Sequence, residues 1–161
     1  MPIVLFRVDE RLIHGQVVVG WGGPLHADRI VVVDDEIAAS PWEQELYCLG
    51  VPEEMATSFL TVDDARRELP AWRGAGPRVI VLVREVATAR RLAAERLLEG
   101  VEVNLGGIHD AEGRARILPY LYLRPAERAD LEAIAAEGAA VAARDLPAAR
   151  RVPLEELAPP R

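Results

Sequence analysis

Apolar and polar positions along the chain form alternating blocks of strand length and of helical spacing. Short apolar runs rich in valine and isoleucine predict strands over residues 2–8, 28–33, 57–60, 78–83, 101–105, 120–123 and 139–144. The segments between them predict helices over residues 16–25, 41–49, 61–69, 85–99 and 125–137. Gly22-Gly23-Pro24 is expected to interrupt the first of these helices, and Pro70 to end the third.

This regular alternation predicts a three-layer α/β fold, with a mostly parallel sheet and helices on both faces. The continuous run Ile30–Val33 is typical of a strand that is buried on both sides. Residues 1–161 are interpreted as one domain, because a chain of 161 residues suits a single core. Residues 148–161 are expected to form a tail that packs loosely apart from Leu154–Leu157.

Four polar loops follow predicted strands, at residues 9–15, 34–40, 84–85 and 106–110. The carboxyl ends of parallel strands meet at one edge of a sheet, where α/β proteins keep their functional sites. We therefore expect these four loops to share one rim. Only the first of them contains both a histidine and an arginine.

The composition of the chain narrows the classes of function. The formal net charge is −7, whereas a general nucleic-acid binder needs a basic face, so nucleic acid is not an expected partner. No apolar run approaches the ~20 residues that span a bilayer, and no signal-peptide pattern opens the chain, so a cytoplasmic protein is expected. The only cysteine, Cys48, is expected to be a small buried hydrophobe on a helix.

All 19 basic residues are arginines. The absence of lysine from the sequence excludes a Walker-type phosphate loop and a Schiff-base mechanism, as well as the receiver-domain scheme that pairs an acidic pocket with a lysine. Any anion that this protein handles must therefore be bound by arginine, histidine or backbone amides.

The segment Val8–Val17 combines a strand end, a polar loop and the start of a helix. An imidazole with a pKa near ~6.5 is partly neutral at cellular pH, so that His14 can act as a nucleophile. If the helix begins just after His14, the amides of Gly15 and Gln16 are unpaired first-turn donors in a positive partial field, which suits phosphate oxygens. Gly15 also has no side chain to block an approaching phosphate.

Two charged residues beside this histidine complete the predicted site. Arg11 lies three residues before His14 and carries a permanently charged, planar fork that matches phosphate oxygens. Asp9 is interpreted as a supporting acceptor that orients Arg11 or fixes the tautomer of His14. We therefore predict that His14 carries a phosphoryl group, with no metal or organic cofactor.

Three segments that include these residues resemble a known family. They are Arg7–Val18, Ala27–Glu36 and Val103–His109. They occur in the same order as in that family, and the resemblance spans nearly the whole chain until it fades near Arg144–Pro147. They resemble the enzyme IIB subunits of the mannose/fructose/sorbose class of the bacterial phosphoenolpyruvate-dependent sugar phosphotransferase system. The segment Cys48–Glu54 departs from that pattern, because it is acidic where members of the family carry lysines.

The resemblance implies a function and a set of partners. His14 would take a phosphoryl group on Nδ1 from enzyme IIA, with Arg11 close by, and pass it to a sugar that enters through the membrane subunits IIC and IID. The chain would be a monomer or a homodimer. The implied fold is a parallel sheet with one antiparallel edge strand, a place that the weak last strand, residues 139–144, would fill.

Two other functions fit parts of the sequence. A IIB-like protein could report carbon supply to a regulator through the same phosphorylation of His14. A metal-dependent hydrolase could instead use Asp34, Asp35 and His109, although acidic residues after a strand also serve simply to cap the next helix. His109 follows a Gly-Gly turn and is expected to be structural, and His26 is expected to lie at the surface.

Overall fold

The computed structural model of the protein describes residues 2–158, which contain a seven-stranded sheet and a separate two-stranded hairpin. The strands are β1 (Ile3–Val8), β2 (Arg29–Val33), β3 (Ala56–Leu60), β4 (Val79–Val83), β5 (Glu102–Leu105), β6 (Ala115–Leu118), β7 (Leu121–Leu123), β8 (Ala140–Ala143) and β9 (Val152–Pro153). The order in the large sheet is β3-β2-β4-β1-β5-β8-β9, in which only the β8–β9 pair is antiparallel.

Helices connect most of the strands. A π-helical segment, Gln16–Trp21, continues directly into α1 (Gly22–Leu25). The others are α2 (Asp35–Ala38), α3 (Pro41–Cys48), α4 (Val62–Trp72), α5 (Val86–Ala93) and α6 (Pro125–Ala136), with short 3₁₀ helices at Ala94–Arg96 and Leu154–Glu156. None of the helices within residues 2–158 is long and apolar enough to cross a lipid bilayer.

The sheet is covered on both faces, as predicted. Val31 and Val33 of β2 belong to the core that also includes apolar residues of α4, α5 and α6. Ile30 and Val32 belong to a second core, on the opposite face, to which the helix after β1 contributes. Successive residues of a strand point to opposite faces, so this division of β2 confirms the three-layer α/β fold.

The position of the antiparallel edge strand differs from the expectation. Residues 140–143 pair in parallel with β5, and the antiparallel edge is Val152–Pro153, in the predicted tail. Val152 and Leu157 are buried, so this part of the tail packs on the sheet. Residues 120–123 also do not extend the main sheet, because β7 pairs with β6 in the separate hairpin. Pro159 and the residues after it lie outside the described part of the chain.

Several helix boundaries were also predicted wrongly. The first helix continues through Gly22-Gly23-Pro24, and α4 continues past Pro70 because Leu69 and Trp72 are buried against the sheet. Helix α5 ends at Ala93, short of Glu99, since the chain turns at two residues with positive φ, Glu95 and Arg96.

One side chain on α3 lies differently from the expectation, and another residue caps α4. Cys48 is exposed, not buried, because α3 lies at the periphery and none of its eight residues is buried. Thr61 caps α4, since its hydroxyl accepts a hydrogen bond from the amide of Asp64 at 3.1 Å.

The loops after β1, β4 and β5 meet at one rim, as expected from a parallel sheet. The amide of Asp9 donates to the carbonyl of Val83 at 2.9 Å, and the amide of Glu10 donates to that of Gly107 at 2.9 Å. Strand β1 lies between β4 and β5, so the loop that carries His14 is in the middle of this rim.

Candidate functional site

The loop after β1 places His14 at the rim through a tight turn followed by a helix start. Leu12 has a positive φ of 54° and is fully buried, so it anchors the turn in the second core. The amides of Val17 and Val18 both donate to the carbonyl of His14 at 3.0 Å. Gly15 is the N-cap residue, so the helix begins directly after His14, as the sequence predicted.

The imidazole of His14 is hydrogen-bonded to Asp9. The distance from Nε2 of His14 to Oδ2 of Asp9 is 3.2 Å, and the exposed fractions of the two side chains are 14% and 0%. Burial raises the pKa of Asp9, but the hydrogen bond from His14, the charge of Arg7 and the Arg11 amide outweigh it, so the pKa lies below its usual value. An ionised carboxylate can only accept a hydrogen bond, so Nε2 of His14 must carry the proton that it donates to Asp9. This tautomer leaves the lone pair of the His14 ring on Nδ1.

Arg7 is a residue of the site that the sequence reasoning missed. Its guanidinium is fully buried, and its Nε lies 3.2 Å from Oδ2 of Asp9. Its other nitrogens donate to Oδ1 of Asn104 at 2.5 Å and to the carbonyls of Arg144 at 2.8 Å and Asp145 at 3.1 Å. Burial lowers the pKa of Arg7, while the Asp9 carboxylate opposes that shift. The ion pair thus has the further hydrogen bonds that a buried charge needs.

The surroundings of Arg7 fit its guanidinium closely. The central carbon of the guanidinium lies 5.3 Å from the ring centroid of Trp21, whose indole N–H donates to the carbonyl of Asp145. A Cβ at Gly106 would overlap the guanidinium, so that only glycine leaves room there. An arginine in the middle of the apolar run of β1 was the signal in the sequence that could have identified this site.

Arg11 points along the rim and contacts the helix that follows His14. Its Nη2 donates to Oε1 of Gln16 at 3.0 Å, and Nε2 of Gln16 donates to Oδ1 of Asp145 at 3.2 Å. Within residues 2–158, Asp9 accepts a hydrogen bond from the backbone amide of Arg11 at 3.0 Å but none from the Arg11 guanidinium. Asp9 therefore orients the Arg11 backbone and the His14 ring, and Gln16 holds the Arg11 fork.

The other rim loops do not assemble the residues of a hydrolase. Asp34 caps α2 by accepting hydrogen bonds from the amides of Glu36 and Ile37, and it pairs with Arg84 at 3.1 Å. Residues 2–158 hold no group of three or more histidine, cysteine or acidic side chains arranged to bind a metal. The ring of His109 is 57% exposed, with Nδ1 3.9 Å from Glu10, so it does not join the acidic residues after β2.

Comparison with known proteins identifies the family. Residues 3–159 match the family described as PTS system sorbose subfamily IIB component. The chain belongs to this family. It is 31% identical to the N-acetylgalactosamine-specific phosphotransferase enzyme IIB component 1 of Escherichia coli over 150 residues, 90% of this chain and 91% of that one.

Other relatives of this IIB component agree in fold and in sequence. The crystal structure of a PTS-dependent N-acetyl-galactosamine IIB component from Streptococcus pyogenes has a TM-score of 0.87, covers 97% of both chains and is 21% identical, which shows a shared fold. The mannose-specific EIIAB component of Escherichia coli is 33% identical over 121 residues, 73% of this chain and 36% of that protein.

The stability of this IIB component should depend on pH through Asp9. The pKa of Asp9 is lowered by folding, so the carboxylate stabilises the fold above its unfolded pKa, and this contribution is lost as pH falls through the folded pKa. Urea unfolding of the wild type and of Asp9→Asn should give a difference in free energy of unfolding that shrinks below about pH 4. The control Glu53→Gln, at an exposed carboxylate, should show no such trend. A difference for Asp9→Asn that persists unchanged in acid would contradict the assignment.

Proposed function

We propose that this IIB component is a cytoplasmic phosphocarrier of a sugar phosphotransferase system. His14 accepts a phosphoryl group from a phosphorylated enzyme IIA and passes it to a sugar taken up through the membrane subunits IIC and IID. The observation that carries this proposal is the 3.2 Å contact between Asp9 and Nε2 of His14, which leaves Nδ1 as the nucleophile. The EIIAB name of the mannose-specific relative supports a IIA donor, since it joins A and B units in one protein.

The transfer follows from the tautomer of His14. The lone pair of Nδ1 attacks phosphorus, while the bond from phosphorus to the donor nitrogen breaks and its electron pair returns to the donor imidazole. The His14 ring, which keeps its proton on Nε2, then bears a positive charge that the Asp9 carboxylate stabilises. When a sugar hydroxyl attacks phosphorus, the bond to Nδ1 breaks, the pair returns to Nδ1 and the hydroxyl proton is released.

Charge on the phosphoryl oxygens is balanced by groups beside His14. The Arg11 fork supplies a permanent positive charge, and the amides of Gly15 and Gln16 supply donors at the start of the helix. A Cβ at Gly15 would meet no other atom within 4 Å, apart from its chain neighbours and its own helix backbone, so there is open space beside the histidine. These three residues are the phosphate-holding groups of the proposal.

A reconstituted relay tests this function. The wild-type chain is incubated with phosphoenolpyruvate, enzyme I, the histidine carrier protein and an enzyme IIA, and bound phosphate is measured. The expected product is a phosphoprotein that loses its phosphate in acid and keeps it in base, as phosphohistidine does. A chain that takes up no phosphate under these conditions would overturn the proposal.

Arg11 should affect the rate of transfer without affecting the fold. It is exposed, so Arg11→Gln removes charge from the phosphoryl group and should slow phosphorylation by about 10²–10³-fold, as does the loss of one positioned donor. The phosphorylation rate of Arg11→Lys should lie between those of the wild type and Arg11→Gln, because lysine keeps the charge but lacks the planar fork. Single-turnover phosphorylation gives these rates. Arg116→Gln, at another exposed arginine, is the control, and equal rates for both glutamine variants would remove Arg11 from the mechanism.

A further inference from the structure

Helix α3 presents an apolar stripe to the solvent, which we call the α3 stripe. It consists of Trp42 and Leu46 of α3 and of Leu49, the C-cap residue that follows the helix. The three lie at helical spacing on one face and have exposed fractions of 66%, 56% and 83%. On the inner side of the helix, the ring of Tyr47 lies 6.4 Å from that of Phe59 and attaches the helix to the second core. Large apolar side chains grouped on an exposed face mark an interaction surface.

The sequence around the α3 stripe is acidic and contains no basic residue. Residues 30–65 contain no basic residue and nine acidic ones: Asp34, Asp35, Glu36, Glu43, Glu45, Glu53, Glu54, Asp63 and Asp64. Four of these belong to α3 or to the loop after it: Glu43, Glu45, Glu53 and Glu54. None of the four forms a salt bridge with any residue between 2 and 158. In contrast, arginines pair with Asp34, Asp35 and Glu36 at the rim. The negative charge near the stripe is therefore available to a partner.

We propose that the α3 stripe docks a cytoplasmic loop of a membrane-embedded subunit that presents basic and apolar side chains. This inference rests on the proposed function, in which the chain meets the IIC and IID subunits. Cytoplasmic loops of membrane proteins carry an excess of lysine and arginine, which complements the four unpaired glutamates. A second copy of this chain would bring the same negative face, and an anionic lipid surface would also repel it.

The α3 stripe lies where such a partner can reach His14. Trp21, in the helix after His14, belongs to the second core, and Tyr47 of α3 packs against it. Both helices therefore cover the same face of the sheet. Helix α2 leads from the carboxyl end of β2 towards α3, and β2 is two strands from β1, about 10 Å across the sheet. A loop bound along α3 is therefore adjacent to the rim from which phosphoryl transfer occurs.

The single cysteine allows a test on the wild-type chain. Cys48 is exposed and directly precedes Leu49, on the flank of α3 beside the stripe, so its rate of alkylation by N-ethylmaleimide reports whether a bound partner covers this end of the helix. Inverted membrane vesicles that contain IIC and IID subunits of the same sugar phosphotransferase class should slow alkylation at least fivefold. Vesicles without those subunits should leave the rate unchanged. Equal rates with both kinds of vesicle, or protection by both, would overturn the proposal.

Substitutions separate the apolar and the electrostatic contributions. Two double variants should each weaken cosedimentation with the subunit-containing vesicles by at least tenfold. One combines Leu46→Gln with Leu49→Gln, and the other combines Glu45→Arg with Glu53→Arg. Glu112→Arg is the control for charge, since this exposed glutamate lies in the loop before β6, away from α3. All the substituted residues are exposed, so thermal unfolding should stay near that of the wild type. Unchanged cosedimentation of the α3 variants would contradict the proposal.

Phosphorylation by enzyme IIA distinguishes this inference from the proposed function. The α3 variants should accept phosphate from enzyme IIA at the wild-type rate, because the stripe is assigned to the membrane subunits. If they lose vesicle binding and phosphorylation by the same factor, the stripe docks enzyme IIA and the proposal is wrong. If their sedimentation shows that a wild-type dimer has dissociated, a second copy occupies the stripe. A wild-type chain that takes up no phosphate refutes the phosphocarrier function itself.

Discussion

Replacing His14 by alanine should reduce phosphate uptake from enzyme IIA to the background level. The variant keeps the Arg11 fork and the helix amides but has no nucleophile, and positioned donors cannot replace a missing covalent acceptor. The fold should persist, because Asp9 retains Arg7 and the Arg11 amide as partners. Radiolabelled phosphoenolpyruvate and a gel at alkaline pH, where phosphohistidine survives, give the measurement.

The other two histidines are the matched controls. His26 is exposed at the end of α1 with a φ of 51°, and His109 is 57% exposed beside Glu10. His26→Ala and His109→Ala should therefore take up phosphate as the wild type does. Full labelling of His14→Ala, or loss of labelling in His109→Ala, would assign the phosphate to a different histidine.

The site residues that could be predicted from the sequence are those that lie close together along the chain. Asp9, Arg11, His14 and Gln16 lie within eight consecutive positions, so a strand end followed by a helix start brings them together whatever the rest of the fold does. Even here, the pairing of Arg11 with Gln16 was not predicted, because the direction of a long side chain depends on its packing and not on its position in sequence.

The part that the sequence did not predict depends on contacts between distant segments. Arg7 meets Asn104 and Asp145, which are 97 and 138 residues away along the chain, and no local pattern encodes such an encounter. The antiparallel edge has the same origin, since β9 has only two residues and is defined by its pairing with β8. Parallel strands were predicted well because each one is buried on both faces and carries its own apolar run.

Breaking the buried pair of Arg7 and Asp9 should be the most destabilising single change in the site. Arg7→Met keeps the aliphatic length but leaves the Asp9 carboxylate buried without its cation, and the loss of one partner of a buried pair costs about 3–5 kcal/mol. The hydrogen-bond acceptors on Asn104 and Asp145 also lose their donor. Urea unfolding followed by circular dichroism gives the free energy of unfolding.

A substitution at Gly106 tests whether the stability depends on the close packing of the Arg7 guanidinium. Gly106→Ala places a methyl group where the Arg7 guanidinium lies, and overpacking of this kind costs about 1–3 kcal/mol. In Gly107→Ala, the matched control, the new methyl would lie 3.6 Å from Oδ1 of Asp9 and 3.7 Å from Nε2 of His109, which are ordinary contact distances. This control should therefore unfold close to the wild type.

The double variant decides whether the two residues act through one contact. In an Arg7→Met background the methyl group of Gly106→Ala no longer meets a guanidinium, so the cost of the double variant should fall short of the sum by about 0.5–3 kcal/mol. Nitrogen-15 NMR of His14 supplies a second readout, because Asp9 can hold the proton on Nε2 only while Arg7 keeps that carboxylate in place. Additive costs together with an unchanged tautomer in Arg7→Met would mean that Arg7 supports the fold and not the nucleophile.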